Sequence, residues 1–275
     1  MATWICRAHG PRSGFSFKTR REATMSSGVA KILVGRLLPG AQEVGEGANR
    51  PVRGIAATVS GEIAVIAKRV AGREIAVEVM CAVVGRAAGL PIPEPILLID
   101  NANVWYYGSA DAGHPNLSHY VSSNDSSIMD ELERWPALLP AACFDELIAN
   151  PDRHDGNLLY DGQGFFLIDH GMCIPIGMPA NEKSEDYHLN RLLDLQIGIC
   201  RDELSTQRVA NHSREWVELS AKKSVTHAEE NASEGLSLET QQQLVSFLKG
   251  RVAMLGDLLH ERIKPERQRS LGFND

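Results

Sequence analysis

Residues 150–171 read "NPDRHDGNLLYDGQGFFLIDHG" and gather Asp152, Asn157 and Asp169 around a short apolar hairpin. Asp152 and Asn157 stand in the register D-x-x-x-x-N, and Asp169 follows within "IDHG". Phosphoryl transfer asks for this set of groups: one carboxylate to orient or deprotonate an attacking hydroxyl, and an amide oxygen with a second carboxylate to hold Mg2+. Strands that leave from Leu158 and return to Ile168 bring the chain back to its starting end. Asp169 can then face Asn157 across one metal-sized gap. Oxygen ligands of this kind suit a hard cation. Asp and Asn taken singly are ordinary turn residues, so the conjunction of the three carries the reading.

The same chemistry needs a cation on the phosphates and a group to position it. Lys68 stands near the end of a predicted strand in "VRGIAATVSGEIAVIAKRV", residues 52–70, where "SGE" signals a hairpin turn. In the next stretch Ile75, Val79, Val83 and Ala87 recur at four-residue steps, which predicts a helix with a broad buried face. Gly89 and "LPIPEP" end it. Glu74 and Glu78 lie one turn apart on this helix, and spacing alone does not choose between them as the partner of Lys68.

Further elements follow from the pattern. "ILLID", a turn at "NAN" and "VWYYGS" predict another hairpin, leading into a Gly/Pro/Ser/Asn-rich linker over 108–127. Residues 128–149 read as helix, broken or kinked near Pro136 and Pro140. "LLY-DGQG-FFLI" is a third hairpin. Beyond Ala180, "DYHLNRLLDLQIGIC" and "SLETQQQLVSFLKGRVAMLGDLLHERI" read as amphipathic helices, the second capped by Ser237 or Thr240. The organisation is α+β: a β-rich part with one helix over 25–108, then a mostly helical part over 109–275 with one embedded hairpin.

The 275 residues, 43% of them hydrophobic, can bury a sizeable core as one large domain or two lobes. A balance of 28 basic against 35 acidic residues gives a net charge of −7, which argues against a broad grip on nucleic acid or an anionic membrane. The five cysteines show no C-x-x-C spacing and are expected as reduced thiols, in a cytoplasm. The chain has no run of 18 or more apolar residues and hence no expected transmembrane helix. Residues 1–24 lack the apolar centre of a secretory signal, and Met25 opens a more ordinary stretch. They are expected to form a disordered extension ahead of the fold.

"N-x-DRH-x-x-N" followed by "IDHG" resembles the catalytic core of the phosphatidylinositol 3/4-kinase-like superfamily, and Glu78 to Pro95, "E-x(10)-GLPIPEP", is similar to bacterial HipA-family kinases. The resemblance covers roughly residues 50–175 and implies a two-lobed protein kinase-like fold that uses ATP and Mg2+. By position it implies Asp152 as the catalytic residue, His154 as support for the transition state, and Asn157 and Asp169 as metal ligands. Lys68 becomes the nucleotide lysine and Glu78 its partner. It puts the interlobe hinge at 96–108, with Trp105 or Tyr106 lining the nucleotide pocket. His170 stands where an aromatic is usual, and neither "GAQEVGEG" nor "RPVRG" is a clean glycine-rich phosphate loop.

Protein Ser or Thr is the first acceptor the resemblance implies, with a small molecule or lipid behind it and a regulatory partner protein in the background. Two other readings compete. A nucleotide-binding pseudokinase would keep the pocket without transfer. A metal-dependent phosphohydrolase would use His154 and Asp155 as an HD pair, but such a site needs further ligands on helices, and this pair runs straight into a hairpin.

Overall fold

The structure, a computed structural model, describes residues 32–44, 50–122, 127–183, 189–232 and 236–265. The expected extension over 1–24 lies outside the described residues.

Strands β1 (Leu33–Leu37), β2 (Gln42–Glu43), β3 (Val52–Thr58) and β4 (Gly61–Lys68) precede helix α1 (Gly72–Ala87), and β5 (Pro95–Ile99) and β6 (Trp105–Ala110) follow it. The expected 52–70 hairpin forms as β3 and β4, with Thr58 opposite Gly61, whose φ of 115° suits glycine at the turn. The sheet runs β1-β5-β6-β4-β3-β2, and β1 also pairs with β3. That extra pairing closes β1, β5, β6, β4 and β3 into a ring. Strand alternation turns Leu37, Ala56, Val65, Ala67, Ile96 and Leu98 inward, where they form a separate buried cluster. Gly108 makes room inside the ring, since a Cβ there would stand 2.5 Å from Leu98 Cδ1.

Helix α1 is buried on nearly every side, including Ile75, Val79, Met80 and Val83. A helix apolar all round belongs inside a core, and α1 packs on α7 (Lys222–Asn231) and α8 (Leu238–Ile263) as well as on the sheet. Burying each Val or Met stabilises by roughly 1.5–3 kcal/mol. Gly89, at φ 81°, ends the helix as expected.

The helical part holds α2 (Leu117–Ser122), α3 (Ser127–Glu133), α4 (Leu138–Leu147), the hairpin β7 (Leu158–Tyr160) and β8 (Phe165–Leu167), then α5 (Arg191–Ile199) and α6 (Glu203–Trp216) before α7 and α8. The larger buried cluster runs without interruption from α1 through these helices. Buried clusters therefore divide between the ring interior and everything else.

Several expectations are adjusted. The stretch expected as linker over 108–127 contains the end of β6 and the short α2, whose start is held by Asn116 Oδ1 accepting from Ser118 Oγ at 2.7 Å; 123–126 lie outside the described residues. The break expected near Pro136 within 128–149 is there, in the turn between α3 and α4, but Pro140 breaks nothing: it falls in the first turn of α4, where its missing N–H costs nothing. Helix α5 starts only at Arg191, where Asn190 caps it by accepting from Leu193 N; Asp186–His188 lie outside the described residues. Ser237 rather than Thr240 caps α8.

Candidate active site

Lys68 closes β4 in register with Tyr107 of β6. Val65 and Ala67 face the ring interior, so the alternation turns Lys68 outward toward α1. Its Nζ lies 3.3 Å from Glu78 Oε1 and 2.8 Å from Asp169 Oδ1. The partner on α1 is therefore Glu78. Glu74, one turn earlier, packs on Gly171: a Cβ there would stand 2.7 Å from Glu74 Cγ. Glu78 is fully buried, and its Oε2 accepts from the backbone N of His170 at 2.9 Å. One carboxylate thus ties the lysine to the residue after Asp169.

Burial, the largest influence on Lys68, pulls its pKa down, but Glu78 and Asp169 outweigh it and the lysine ends above its ordinary value. Burial pushes Glu78 up to about 6, opposed by Lys68. The ammonium stays charged across the neutral range, where Glu78 is mostly ionised beside it.

The loop after α4 carries the other groups. Its core is Arg153, 2% exposed, a residue of the motif to which the spacing alone assigns no role. Arg153 forks onto Asp145 of α4, with Nε to Oδ2 and NH2 to Oδ1 both at 2.9 Å. Its NH1 donates to the carbonyls of Asn157 at 2.7 Å and Ile168 at 3.0 Å. A single guanidinium therefore fixes the start and the return of the β7–β8 hairpin, and with them the separation of Asn157 and Asp169. Asn150 completes the brace: its Nδ2 donates to Asp145 Oδ1 and its Oδ1 accepts from Asp152 N, both at 2.9 Å. A buried acid inside the apolar run "AACFDEL" was the sequence signal for Asp145.

Asn157 is buried, and its Nδ2 donates to Asp152 O at 2.8 Å and lies 3.5 Å from Asp152 Oδ2. That leaves Oδ1 as the atom a cation would take. Asp169 follows with φ 61°, a left-handed conformation costly for a non-glycine residue. The donors here are all oxygen, which fits Mg2+. His154 Nδ1 accepts from Gly156 N at 2.9 Å, which puts the proton of a neutral ring on Nε2, 3.9 Å from Asp152 Oδ1.

His170 is 1% exposed, edge-on against Phe144, and neither ring nitrogen has a hydrogen-bond partner among the described residues. Burial, followed by Arg153 and Lys68, drives its pKa well below the ordinary value, so the ring is neutral.

Six of the residues read from sequence come together: Lys68, Glu78, Asp152, His154, Asn157 and Asp169. Trp105 and Tyr106 do not join them. Residues 96–108 form the β5–β6 hairpin rather than a hinge, and alternation turns Tyr106 to the ring interior, with its hydroxyl 3.2 Å from Asp100 Oδ2. Trp105 lines a cavity of about 370 Å³ bounded by Gly72, Arg73 and Thr240, away from Lys68. Trp105 shares the lysine's face of the sheet, but the aromatic in register with Lys68 is Tyr107, whose hydroxyl is held well above its ordinary pKa by burial and then by Glu78 and Asp169. Register with Lys68 across the sheet was the signal. Of the two phosphate-loop candidates, "RPVRG" enters β3, and Gly54 is needed there because a Cβ would stand 2.9 Å from Ala41 Cβ. Gly45 and Gly47 of "GAQEVGEG" lie outside the described residues.

Neither a protein-family model nor a curated protein matches the sequence. Among solved structures, the proinflammatory kinase CtkA of Helicobacter pylori superposes with a TM-score of 0.54 at 12% identity, covering 83% of this chain and 95% of that one. The fold is kinase-like. An N-terminal fragment of LepB from Legionella pneumophila gives a TM-score of 0.44 at 15% identity, over 83% of this chain and 46% of the fragment, too low to bear on the kinase-like assignment. No helix among the described residues is long and apolar enough to cross a membrane.

Proposed function

We propose that the chain is an ATP- and Mg2+-dependent kinase of two lobes, acting on a hydroxyl acceptor. The observation that carries this is the bridging position of Lys68 between Glu78 and Asp169, with Asp152 and Asn157 on one braced loop. Lys68 meets the phosphates of the nucleotide and Glu78 holds it there. Asn157 Oδ1 and the Asp169 carboxylate would hold the divalent cation, which when bound neutralises charge on the phosphate oxygens. Asp152 orients the acceptor hydroxyl and takes its proton. The acceptor oxygen bonds to the γ-phosphorus as the bond from that phosphorus to the β–γ bridging oxygen breaks, leaving ADP. His154 supports the charge that develops.

The acceptor is protein Ser or Thr, by the likeness of residues 78–95 to HipA-family kinases, and the setting is the cytoplasm. The phosphohydrolase reading fares worse: His154 already spends Nδ1 on Gly156 N, and no group of three or more His, Cys, Asp or Glu suited to a metal exists among the described residues. A pseudokinase remains the rival, and one experiment separates the two. Labelled γ-phosphate from ATP with Mg2+ and cell lysate should reach a protein band with wild type and not with Asp152→Asn. ATP binding by wild type with no label on any acceptor would favour the pseudokinase.

A further inference from the structure

Adjacent carboxylates at the end of α4 serve two different stretches of chain. Asp145 braces the loop of Asp152 through Arg153. Glu146, also fully buried, braces the segment that follows Asp169. Its Oε1 lies 2.8 Å from Arg251 NH2, and its Oε2 accepts from Asn190 Nδ2 at 3.2 Å.

Arg251 of α8 is completely buried, and its NH1 donates to the carbonyls of Ala180, at 3.3 Å, and Glu182. Asn190 Nδ2 also donates to Ala142 O at 2.9 Å, just where the chain enters α5. A single buried acid thus holds the end of the segment leaving Asp169 and the point of its return. Nearer its start, Ile174 N donates to Ile148 O at 2.9 Å, and Ile174 O accepts from Arg73 NH2 at 2.6 Å. The segment therefore runs beside the loop that carries Asp152.

A buried ion pair is a weak device for stability, because desolvation offsets most of the attraction. Its protons on carbonyls of a segment with no regular structure are a strong device for fixing backbone position. Resting on the kinase reading, we infer that Arg251, with Glu146 and Asn190, is the positioning group for the acceptor: it fixes residues 170–183 as the wall against which a polypeptide hydroxyl is presented to Asp152.

The test compares wild type with Arg251→Lys, which keeps the charge but loses the fork, and with Asn190→Ala, which removes one brace at the segment's far end. Transfer to dephosphorylated casein is measured alongside ATP affinity and the slow hydrolysis in which water is the acceptor. We expect the casein KM to rise about tenfold in at least one folded variant, with ATP affinity and hydrolysis within about twofold of wild type. Amide exchange over 175–183 should quicken while that over 150–157 holds. Proportional loss of casein transfer, ATP affinity and hydrolysis would overturn the inference, as would an unchanged casein KM in both variants; if Arg251→Lys does not fold, Asn190→Ala decides alone. Wild type that binds ATP yet phosphorylates nothing overturns the kinase reading itself, an outcome visible before any variant is made.

Discussion

Lys68 Nζ stands 2.8 Å from Asp169 Oδ1 and 3.3 Å from Glu78 Oε1, so one ammonium serves two carboxylates from distant parts of the chain. Removing it leaves Glu78 buried beside no countercharge. Lys68→Met should abolish measurable ATP affinity, and Asp169→Asn should lose the Mg2+-dependent part of it. Asp152→Asn should keep nucleotide binding and lose about 10²-fold or more in turnover. Equal, full activity of the Asp152 and Asp169 variants would dismiss the assigned site.

Glu78 gives the site a pH dependence whose sign can be worked out. Its folded pKa, about 6, exceeds the ordinary value of 4.5, so between those values the folded state binds more protons than the unfolded state. Its contribution to stability therefore falls as pH rises from about 4.5 to about 6. The ion pair with Lys68 forms over the same interval, so ATP affinity should rise. Melting temperature and ATP affinity measured from pH 5 to 8 should move in opposite directions for wild type, and the affinity trend should vanish in Glu78→Gln. A flat affinity across that range would refute this.

His170 buries an imidazole whose two nitrogens make no hydrogen bond among the described residues. An unsatisfied buried polar group costs about 1–3 kcal/mol, and Phe144 already offers an aromatic neighbour. His170→Phe should stabilise the protein by about 1 kcal/mol, read as a higher denaturant midpoint at unchanged slope. A lower midpoint would show that the ring has a role the packing does not reveal.

Arg153→Met should do the opposite. It strands Asp145 in the core and frees the carbonyls of Asn157 and Ile168, a loss of about 3–5 kcal/mol. Chemical denaturation measures it. A loss below about 1 kcal/mol would mean the loop does not depend on the brace.

The six residues of the proposed site could be picked out because phosphoryl-transfer chemistry needs particular residue types, and the hairpin that sets the spacing of Asn157 and Asp169 has a two-residue period. The choice of Glu78 over Glu74 was not settled by spacing alone: both share a helix face, and only the depth of α1 against the sheet decides. Trp105 and Tyr106 were chosen by aromatic character, whereas parity with Lys68 excludes Tyr106, and register with Lys68 singles out Tyr107 over Trp105 on the same face. The closed ring and the two braces, Arg153 on Asp145 and Arg251 on Glu146, join residues whose partners lie on other elements. No local pattern announces them.

Helix α1 ends at Ala87, yet the surface that covers it comes from α7, which begins at Lys222, and from α8. During synthesis the strand bearing Lys68 and the helix bearing Glu78 emerge early and wait for almost the whole chain before their pairing is enclosed. A nascent or C-terminally shortened chain therefore carries every residue of the proposed site with α1 still uncovered. Closure of α1 is the last step of the fold's assembly along the chain.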